Sequence, residues 1–530
     1  MENEINGTSH YEVVTELGMT PPVDTPNQSS AVMDALNLVP TKRQLPERHT
    51  RGISKSLMSP LFLEMKALQQ NETWELVDCP PGKKPVGCRL IYAIKYKADD
   101  TIERLKARLV AKGYTQTYGV DYTETFAPVA KLNTVRVLLS LAVNLDWPLQ
   151  QFDVKNAFLH GELSEEVYME LPPGCMVPKK HSQKVCKLRK SLYGLKQSPR
   201  AWFGRFLEAM TVFGYHQSNF DHTLFLKKQN GKITTLIIYV DDMIVTGNDP
   251  EEQKALQSYL FGKFEMKDLD LLRETNMEEC HPATTPIEEG LKLCLEQNHI
   301  PVDKGRYQRL VGQLMYLAHT RLYLTYALSV VSQYMHNPGE KHMNVVMHIL
   351  RYLKSAPGRG ILFTKHTDYQ EINVYTDADW AGAINERRST SGYFTFVGRN
   401  LVTWRSKKQN VVARSSAEAE FRGIALGLCE ALWLKLLLED LGYPLRQPIQ
   451  LYCDNKAACD IAHNPIQHDH TKHVEVDRFF IKEKLERKIL ELPKIRTEDQ
   501  LADILTKAVL KPVFSKFLSK LCLIDIYAPT

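Results

Sequence analysis

Two adjacent carboxylates, Asp241 and Asp242, lie between the apolar and β-branched runs IIYV and MIV, within LIIYVDDMIVTGND at residues 236–249. The two runs predict the strands of a hairpin. A tight hairpin turn usually carries glycine, because glycine adopts positive φ, and this turn has none. An acidic turn is the ordinary interpretation, since Asp favours turns. The alternative is that two carboxylates, which repel each other at close range, are held there to bind divalent cations.

A third carboxylate, Asp153, lies at the end of the predicted strand QFDV. Alone it would be a cap or turn residue. If its strand is a neighbour of the hairpin in one sheet, the three carboxylates could hold two divalent ions about 4 Å apart. Such a pair of ions activates an attacking 3′-hydroxyl and stabilises the charge that develops on the phosphoryl group. The trio therefore predicts nucleotidyl transfer.

A second acidic set is spread over the C-terminal part of the chain. Its members are Asp377 in VYTDADW, Glu420 in SSAEAEFRG, Asp454 in LYCDNKAA and Asp503 in DQLADILTK. Each alone would be a surface acid, but two predicted strand ends and two predicted helices could bring them together. Such a set suits a second two-metal site in which water is the nucleophile. Asp379 and Glu418 are near neighbours that compete for the same roles.

Composition limits the class of protein. The 530 residues are 43% hydrophobic and 24% charged, as in folded soluble proteins, and the length predicts about three or four packed units. No apolar run approaches the roughly 18 residues of a membrane span, and the acidic opening is not a signal peptide, so we expect a soluble intracellular protein. The ten cysteines form no CxxC pair, which predicts reduced thiols used in packing.

Charge and pattern add two expectations. The net charge is only +5, but lysines and arginines concentrate at 95–114 and 179–190, where solvated faces and nucleic-acid contacts are both possible interpretations. Apolar periodicity predicts the elements that carry the acids. The predicted helices lie at 61–70, 135–145, 199–215, 307–319, 324–336, 340–355 and 417–442. The predicted strands are a pair at 88–112 around a turn at Asp99–Asp100, one in 148–161, the two of the hairpin, and those at 361–365, 371–380, 392–398, 401–406 and 449–455.

Several sequence blocks resemble the reverse transcriptase of copia-type LTR retrotransposons. They are NETWELVDCPPGKKPVG, RLKARLVAKGYTQTYGVDYTETFAPVAK, QFDVKNAFLHGELSEEVYMELPPG, SLYGLKQSPRAWF and the hairpin itself. The later blocks TDADWAGAINERRSTSGYF and HTKHVEVDRFFIKEKL resemble the family's ribonuclease H. The resemblance runs from residue 60 to the C-terminus. It implies a multidomain α+β and α/β fold, in which a right-hand polymerase with fingers, palm and thumb is followed by an RNase H-like mixed sheet with helices.

The resemblance also implies roles for particular residues. The polymerase metal ligands would be Asp153, Asp241 and Asp242, with the carbonyl of Val154 beside them, and the ribonuclease H ligands would be Asp377, Glu420, Asp454 and Asp503. Glu420 fits the family's helix register better than Glu418. Contacts to the incoming nucleotide and the template would come from Arg108, Lys112, Phe158, Gly194, Lys196, Ser198 and Pro199, with Phe158 as the aromatic gate that excludes a 2′-hydroxyl.

The implied cofactor is Mg²⁺ or Mn²⁺. The implied partners are an RNA template, a DNA primer, an RNA–DNA hybrid and deoxynucleoside triphosphates, with no membrane. The implied location is a cytoplasmic virus-like particle or the nucleus. The expected domains are a polar leader at 1–58, fingers and palm at 59–278, a helical thumb or connection at 279–365 and an RNase H-like domain at 366–530. The lack of an aspartic protease motif or an integrase zinc motif suggests the downstream part of a Pol polyprotein.

One segment departs from the family. KFEMKDLD (263–270) runs directly into LLRETNM (271–277), without the strand pair that forms the primer grip and the base of the thumb. The departure predicts impaired primer extension with retained hybrid cleavage. The alternative function is therefore a catalytically defective relic that still binds nucleic acid. The histidines His463, His468, His470 and His473 have no cysteine pair at zinc-finger spacing, so we interpret them as surface or helix-start residues.

Overall fold

The structure is a computed structural model that describes residues 55–96, 102–173, 184–264, 266–268, 285–287, 302–354, 359–383, 386–463 and 475–525. All of these residues belong to one unit, Gly52–Thr530. Most of the predicted leader, the turn at Asp99–Asp100 and the junction of Asp270 with Leu271 lie outside the described residues. His468, His470 and His473 do so as well. The Nδ1–H of His463 donates a hydrogen bond of 2.9 Å to the carbonyl oxygen of Cys459.

The N-terminal part of the described chain combines one helix with two small sheets. Helix α1 (Lys55–Gln70) begins inside the predicted leader. A three-stranded sheet has the order β1-β6-β5, and strands β2 and β3 form an antiparallel hairpin, as predicted. The strand bounds are β1 (Trp74–Asp78), β2 (Cys88–Tyr96), β3 (Ile102–Ala111), β5 (Glu162–Met169) and β6 (Lys184–Lys190). Leu68, Leu109 and Val167 are buried in the core beneath them.

The central sheet has six strands in the order β11-β4-β10-β9-β8-β7, all paired antiparallel. The bounds are β4 (Leu149–Val154), β7 (His216–Gln217), β8 (Leu224–Gln229), β9 (Lys232–Tyr239), β10 (Asp242–Gly247) and β11 (Met266–Asp268). Alternation along β9 sends Leu236 and Ile238 to one face and Ile233 and Ile237 to the other. Both faces are therefore covered.

Three helices cover the central sheet. Helices α3 (Ser198–Val212) and α4 (Pro250–Lys263) pack on the face that carries Leu236, whereas α2 (Leu132–Leu145) packs on the other face. Helix α3 begins at Ser198 with proline in its first turn, where the missing N–H costs no hydrogen bond. This arrangement is a polymerase palm.

A helical segment follows the palm. Its helices are α5 (Lys304–Leu317), α6 (Thr325–Ser332) and α7 (Glu340–Lys354), which confirms the three predicted helices with small shifts at their ends. They share a core with the end of the chain, where α11 (Lys511–Lys520) lies. None of the helices in the described part of the chain is both long enough and apolar enough to span a membrane.

The C-terminal sheet has five strands in the order β15-β14-β13-β16-β17. Strand β13 (Ile372–Ala378) pairs antiparallel with β14 (Thr390–Val397) and parallel with β16 (Ile449–Tyr452). The outer strands are β15 (Asn400–Lys408) and β17 (Leu490–Glu491). A mixed sheet of this order with a long helix against it is RNase H-like. The predicted fold class, a right-hand polymerase followed by an RNase H-like mixed sheet, is confirmed.

Helices and one ribbon complete this part. The long helix α8 (Ser416–Asp440) lies on the five-stranded sheet, and α9 (Lys456–His463) and α10 (Glu475–Glu486) pack near it. Gly427 permits this contact, because a Cβ there would lie 2.5 Å from Cγ2 of Thr376 on β13. The strand predicted at 361–365 lies instead at β12 (Arg359–Ile361), where it pairs with β18 (Leu523–Asp525) outside the five-stranded sheet.

Helix α2 joins the palm to the RNase H-like sheet. Its apolar residues Val137 and Leu141 belong to one core with Ile237 of the palm and Val397 of β14. The Ser140 hydroxyl donates a hydrogen bond of 3.0 Å to the carbonyl oxygen of Val397. The two sheets are therefore held by a shared core and not by a tether alone.

Candidate active sites

The palm hairpin presents its carboxylates through a two-residue turn. Val240 and Asp241 form the tip, and Asp242 is the first residue of β10. The left-handed conformation falls on Val240, at φ 56°, and not on either aspartate. A β-branched residue is costly in that region, by about 1–3 kcal/mol, so surrounding contacts must hold the turn.

Two hydrogen bonds hold the tip from both sides. The indole N–H of Trp202 on α3 donates to the carbonyl oxygen of Val240 at 2.7 Å. The N–H of Val154 on β4 donates to the carbonyl oxygen of Asp241 at 2.8 Å. A glycine-free turn with these supports has few alternative conformations, so the direction of the Asp241 side chain is set by the backbone.

The register of the sheet brings the third carboxylate to the hairpin. Asp153 on β4 is the direct cross-strand partner of Asp242 on β10. Burial, followed by the neighbouring Asp242 and Asp153, raises the pKa of Asp241. Burial and Asp153 raise the pKa of Asp242. Like charges held at this edge favour a cationic ligand.

A stacked arginine lies beside the trio. The guanidinium of Arg108 on β3 sits 3.8 Å from the ring centroid of Tyr193, and Tyr193 meets the ring of Phe158 at 4.8 Å, edge to face. Burial raises the pKa of Tyr193 to about 12, and the charges of Asp241 and Asp153 contribute to that shift. Phe158 is 3% exposed, so its ring is mostly enclosed in the apolar cluster.

Arg108 keeps one donor available. Its Nε lies buried and makes no hydrogen bond with any residue that the structure describes. A buried guanidinium N–H without a partner is unfavourable unless a ligand accepts from it. The arginine is thus a candidate for binding an anionic group near the carboxylates.

The LYGLKQSP segment contacts the end of β3. Gly194 has φ 92°, and a Cβ there would lie 2.2 Å from the carbonyl oxygen of Ala111, so only glycine fits. The amine of Lys196 donates to the hydroxyl of Tyr122 at 3.1 Å. Ser198 is buried, and its hydroxyl donates to the carbonyl oxygen of Leu192 at 2.6 Å. The N–H of Lys112 donates to the carbonyl oxygen of Gly87 at 2.7 Å.

The four acids of the second set lie at one end of the RNase H-like sheet. Asp377 is near the end of β13, and Asp454 follows the parallel strand β16 by two residues. The carboxyl ends of parallel neighbours meet at one edge, which explains why these residues come together. Glu420 lies in the second turn of α8, and Asp503 lies in a 3₁₀ turn at Leu501–Leu505.

Buried hydrogen bonds hold the turn that carries Asp503. The amide of Gln500 donates to the carbonyl oxygens of Thr376 at 2.9 Å and Tyr452 at 3.4 Å, on the two parallel strands. The hydroxyl of Thr506 donates to a carboxylate oxygen of Asp377. The amine of Lys507 forms an ion pair of 2.9 Å with Asp503.

The charges of neighbouring acids contribute to the pKa shifts in the second set. Burial, then Asp377 and Asp454, raises the pKa of Glu420 to about 9. Burial and Asp377 raise the pKa of Asp503 to about 7, and Asp454 contributes. Because these carboxyl groups resist losing their protons together, a divalent cation would stabilise their ionised forms.

Glu418 lies in a different environment. Its carboxylate accepts a hydrogen bond of 2.9 Å from the N–H of Arg414 and forms an ion pair of 3.1 Å with Arg422. The Glu418 carboxylate thus already has partners at the start of α8, whereas Glu420 faces Asp377 and Asp454. The geometry favours Glu420 as the ligand. Burial raises the pKa of Asp379 to about 6, and its carboxylate accepts from the N–H of Thr390.

One member of the second site was not expected. Among the residues that the structure describes, one group of three potential ligands has all its ligand atoms within 4.8 Å of one another, and it contains Glu420, Cys453 and Asp454. The carboxylates of Asp153, Asp241 and Asp242 do not meet this 4.8 Å criterion. Cys453 was interpreted as a packing residue, although its position next to Asp454 in the sequence was a signal.

Other supporting residues also escaped sequence analysis. They are Tyr193, Trp202, Gln500, Thr506 and Lys507. Trp202 and Tyr193 lie inside quoted sequence blocks, so their blocks were found but their roles were not. Gln500, Thr506 and Lys507 surround Asp503 in sequence, and only the fold shows that they reach the other acids.

Comparisons with known proteins show what the chain is similar to. The model of the family "Reverse transcriptase (RNA-dependent DNA polymerase)" matches residues 71–291. The retrovirus-related Pol polyprotein from transposon RE1 of Arabidopsis thaliana is 41% identical over 486 residues, which cover 86% of this chain and 33% of that protein. The one from transposon TNT 1-94 of Nicotiana tabacum is 38% identical over 492 residues, covering 86% and 37%. The chain spans about a third of the length of these curated relatives.

Among solved structures, a foamy viral protease-reverse transcriptase in complex with dsDNA is similar over 87% of each chain, with a TM-score of 0.42 and 12% identity.

The palm sheet with its acidic hairpin, followed by the acidic RNase H-like sheet, defines a protein of the reverse transcriptase class. The sequence relatives narrow the class further. Residues 71–291 belong to the reverse transcriptase family, and most of the chain is homologous to part of the Pol polyproteins of copia-type transposons.

Proposed function

We propose that the chain is an RNA-directed DNA polymerase with an attached ribonuclease H activity. One observation carries the polymerase proposal: Asp153 and Asp242 are cross-strand partners at the tip where Asp241 projects. The RNase H proposal rests on the convergence of Asp377, Glu420, Asp454 and Asp503 at one end of the second sheet.

The carboxylates suit Mg²⁺ or Mn²⁺, which prefer oxygen ligands. Asp153, Asp241 and Asp242 would hold the ions in the palm, and Asp377, Glu420, Asp454 and Asp503 would hold them in the second site. When bound, such ions lower the pKa of an attacking hydroxyl or water and stabilise charge on the phosphoryl oxygens. The raised pKa values of Asp241, Asp242, Glu420 and Asp503 support this assignment, since a cation relieves their mutual repulsion.

The remaining polymerase residues would bind and orient the nucleotide. The Nε–H of Arg108, unpaired within the described residues, is available to a triphosphate oxygen. The ring of Tyr193 stacks on the guanidinium and contacts the ring of Phe158 edge to face. Gly194 allows the LYGLKQSP segment to contact β3 closely, and Lys196 and Ser198 fix that segment. We propose that this surface receives the deoxynucleotide, the RNA template and the DNA primer, and that the second site receives the RNA–DNA hybrid.

Two assays on the purified full chain test the proposal. Primer extension on an RNA template should be abolished by Asp241→Asn, and cleavage of an RNA–DNA hybrid should be abolished by Asp454→Asn. Each variant is the control for the other, because each should leave the other activity unchanged. Extension that survives Asp241→Asn would contradict the polymerase assignment, and cleavage that survives Asp454→Asn would contradict the RNase H assignment.

A relic that only binds nucleic acid is the second candidate, and the sequence departure at 270/271 favours it for the polymerase half. The departure by itself, which touches only the polymerase half, predicts weak or absent extension with retained hybrid cleavage. Retained binding of a primer–template duplex without either activity would support the relic. Robust extension that depends on Asp241 would exclude it. An intracellular location, in a cytoplasmic particle or the nucleus, belongs to the same proposal.

A further inference from the structure

A thiol lies inside the second acidic site. Cys453 directly precedes Asp454 and is only 2% exposed. Its Sγ lies 3.7 Å from Oε2 of Glu420. One ligand atom each from Glu420, Cys453 and Asp454 lie within 4.8 Å of one another. The RNase H function proposed above uses the two carboxylates and leaves the thiol without a role.

A second thiol is next to the first. Cys459 lies on α9, and its Sγ is 3.9 Å from the carbonyl oxygen of Cys453. The candidate ligand group therefore combines one thiol with two carboxylates, from α8 and the end of β16, and the thiol of Cys459 on α9 lies beside it.

The donor set distinguishes between classes of cation. Mg²⁺ requires about six oxygen ligands in octahedral geometry and does not select sulfur. Zn²⁺ and other thiophilic ions are bound tetrahedrally by thiolates and carboxylates, with metal–sulfur bonds of about 2.3 Å and metal–oxygen bonds of about 2.0–2.2 Å. A tetrahedral site with these bonds separates its sulfur and oxygen ligands by about 3.6 Å.

The distance from Cys453 to Glu420, 3.7 Å, already matches that separation. The third ligand atom, within 4.8 Å of the others, needs to move by at most about 1.5 Å. Asp454 is half-buried at a strand end, where its side chain can adjust by that distance. No large rearrangement of the backbone is required.

We propose that Glu420, Cys453 and Asp454 form a binding site for a thiophilic divalent cation such as Zn²⁺ or Cd²⁺. Binding replaces the thiol proton of Cys453 with the metal and releases that proton to solvent. Because two of the ligands are those predicted for Mg²⁺, the thiophilic ion excludes magnesium and inhibits hydrolysis at this site. The inference shares Glu420 and Asp454 with the proposed function.

Cadmium titration of the full-length protein tests the site. The reduced, chelator-stripped chain is titrated with Cd²⁺ in excess Mg²⁺, and the ultraviolet charge-transfer absorption of the cadmium–thiolate bond is measured. We expect Cys453→Ser to weaken the tightest site at least about tenfold, as the loss of a ligand does. Cys429→Ser is the matched control, because it removes an exposed thiol from the same helix as Glu420 and should change nothing.

A Cys453→Ser protein that binds Cd²⁺ as the wild type does would overturn the inference. If that variant does not fold, Asp454→Asn gives a second test, since it removes a half-buried ligand and should also weaken the tightest site. An Asp454→Asn titration equal to that of the wild type would overturn the inference equally. Circular dichroism of each variant separates a lost fold from a lost site.

The absorption readout is independent of hydrolysis. If the protein binds Cd²⁺ through Cys453 but does not cleave hybrid, the cation site is supported and the proposed RNase H activity is refuted. If it cleaves hybrid in Mg²⁺ but shows no cadmium–thiolate absorption, the activity is supported and the cation site is refuted. If both hold, Zn²⁺ should inhibit wild-type cleavage at concentrations at least about tenfold lower than those needed for Cys453→Ser.

Discussion

Replacing Glu420 by Gln is expected to stabilise α8 in the metal-free protein at neutral pH. The carboxyl of Glu420 is 5% exposed, and burial with the charges of Asp377 and Asp454 raises its pKa from 4.5 to about 9. A carboxyl whose pKa is higher in the folded than in the unfolded chain keeps a proton on folding that the unfolded chain has lost. The contribution of Glu420 to the free energy of unfolding is therefore greatest below pH 4.5, and it falls as the pH rises toward the pKa of this group in the folded chain.

The magnitude follows from the proton count and not from the exact pKa. Between pH 5.5 and 7.5 the folded chain holds about one more proton at Glu420 than the unfolded chain does. Each pH unit in this window lowers the free energy of unfolding by about 1.4 kcal/mol, so two units lower it by about 3 kcal/mol. Glutamine has no proton to lose and can still accept the hydrogen bond that the N–H of Ala378 donates to Glu420. The free energy of unfolding of Glu420→Gln should therefore not show this fall of about 3 kcal/mol between pH 5.5 and 7.5.

Hydrogen exchange of the α8 amides, residues 416–440, measures the effect in chelator at pH 5.5 and 7.5. Opening free energies are compared after correction for the intrinsic exchange rates. The matched control is Glu418→Gln, which breaks the ion pair with Arg422. It should lower the opening free energy of the same helix, whereas Glu420→Gln should raise it. If Glu420→Gln loses as much protection as the wild type between the two pH values, the buried carboxyl is not protonated in the folded chain and the reasoning fails.

Three further substitutions test packing. Arg136→Ala should destabilise the joint between palm and RNase H-like sheet by about 2 kcal/mol in chemical unfolding, because it removes a stack 3.8 Å from the ring of Trp404 and the hydrogen bonds of the guanidinium. Gly392→Ala places a Cβ 2.6 Å from that of Leu505, so it should lower hybrid cleavage and leave primer extension unchanged. Gly194→Ala forces a Cβ against the backbone of β3, and should lower extension and leave cleavage unchanged. Unchanged stability of Arg136→Ala would contradict the first prediction. Loss of primer extension in Gly392→Ala, or of hybrid cleavage in Gly194→Ala, would contradict the other two.

The local elements of the palm were predictable because their signals are local. The apolar and β-branched runs on either side of Asp241 and Asp242 predicted the hairpin, and the structure has it at 232–247. The position of the third carboxylate was harder to predict from the sequence. That Asp153 faces Asp242 depends on the pairing of β4 with β10, and no pattern within either strand states which strand is its neighbour.

Long-range contacts explain what the sequence did not show. Val240, and not an aspartate, takes the left-handed conformation, and Trp202 supports it from a helix about forty residues earlier. Cysteine spacing was tested for pairs close in sequence, which is the pattern of zinc fingers. The ligands around Cys453 come instead from two elements 33 residues apart, so a spacing rule could not find them.

Helix α2 makes the two candidate sites parts of one structure. The hydroxyl of Thr134 donates to Asp221 of the palm at 2.6 Å, and the amide of Asn133 donates to Glu430 of α8 at 3.0 Å. Neighbouring residues of one rigid helix therefore contact both halves. Glu430 lies on the same helix as Glu420, so a displacement of α8 at the second site must either move α2 or break the Asn133 contact. Because buried packing resists small shifts, the palm sheet limits how far the RNase H-like site can move.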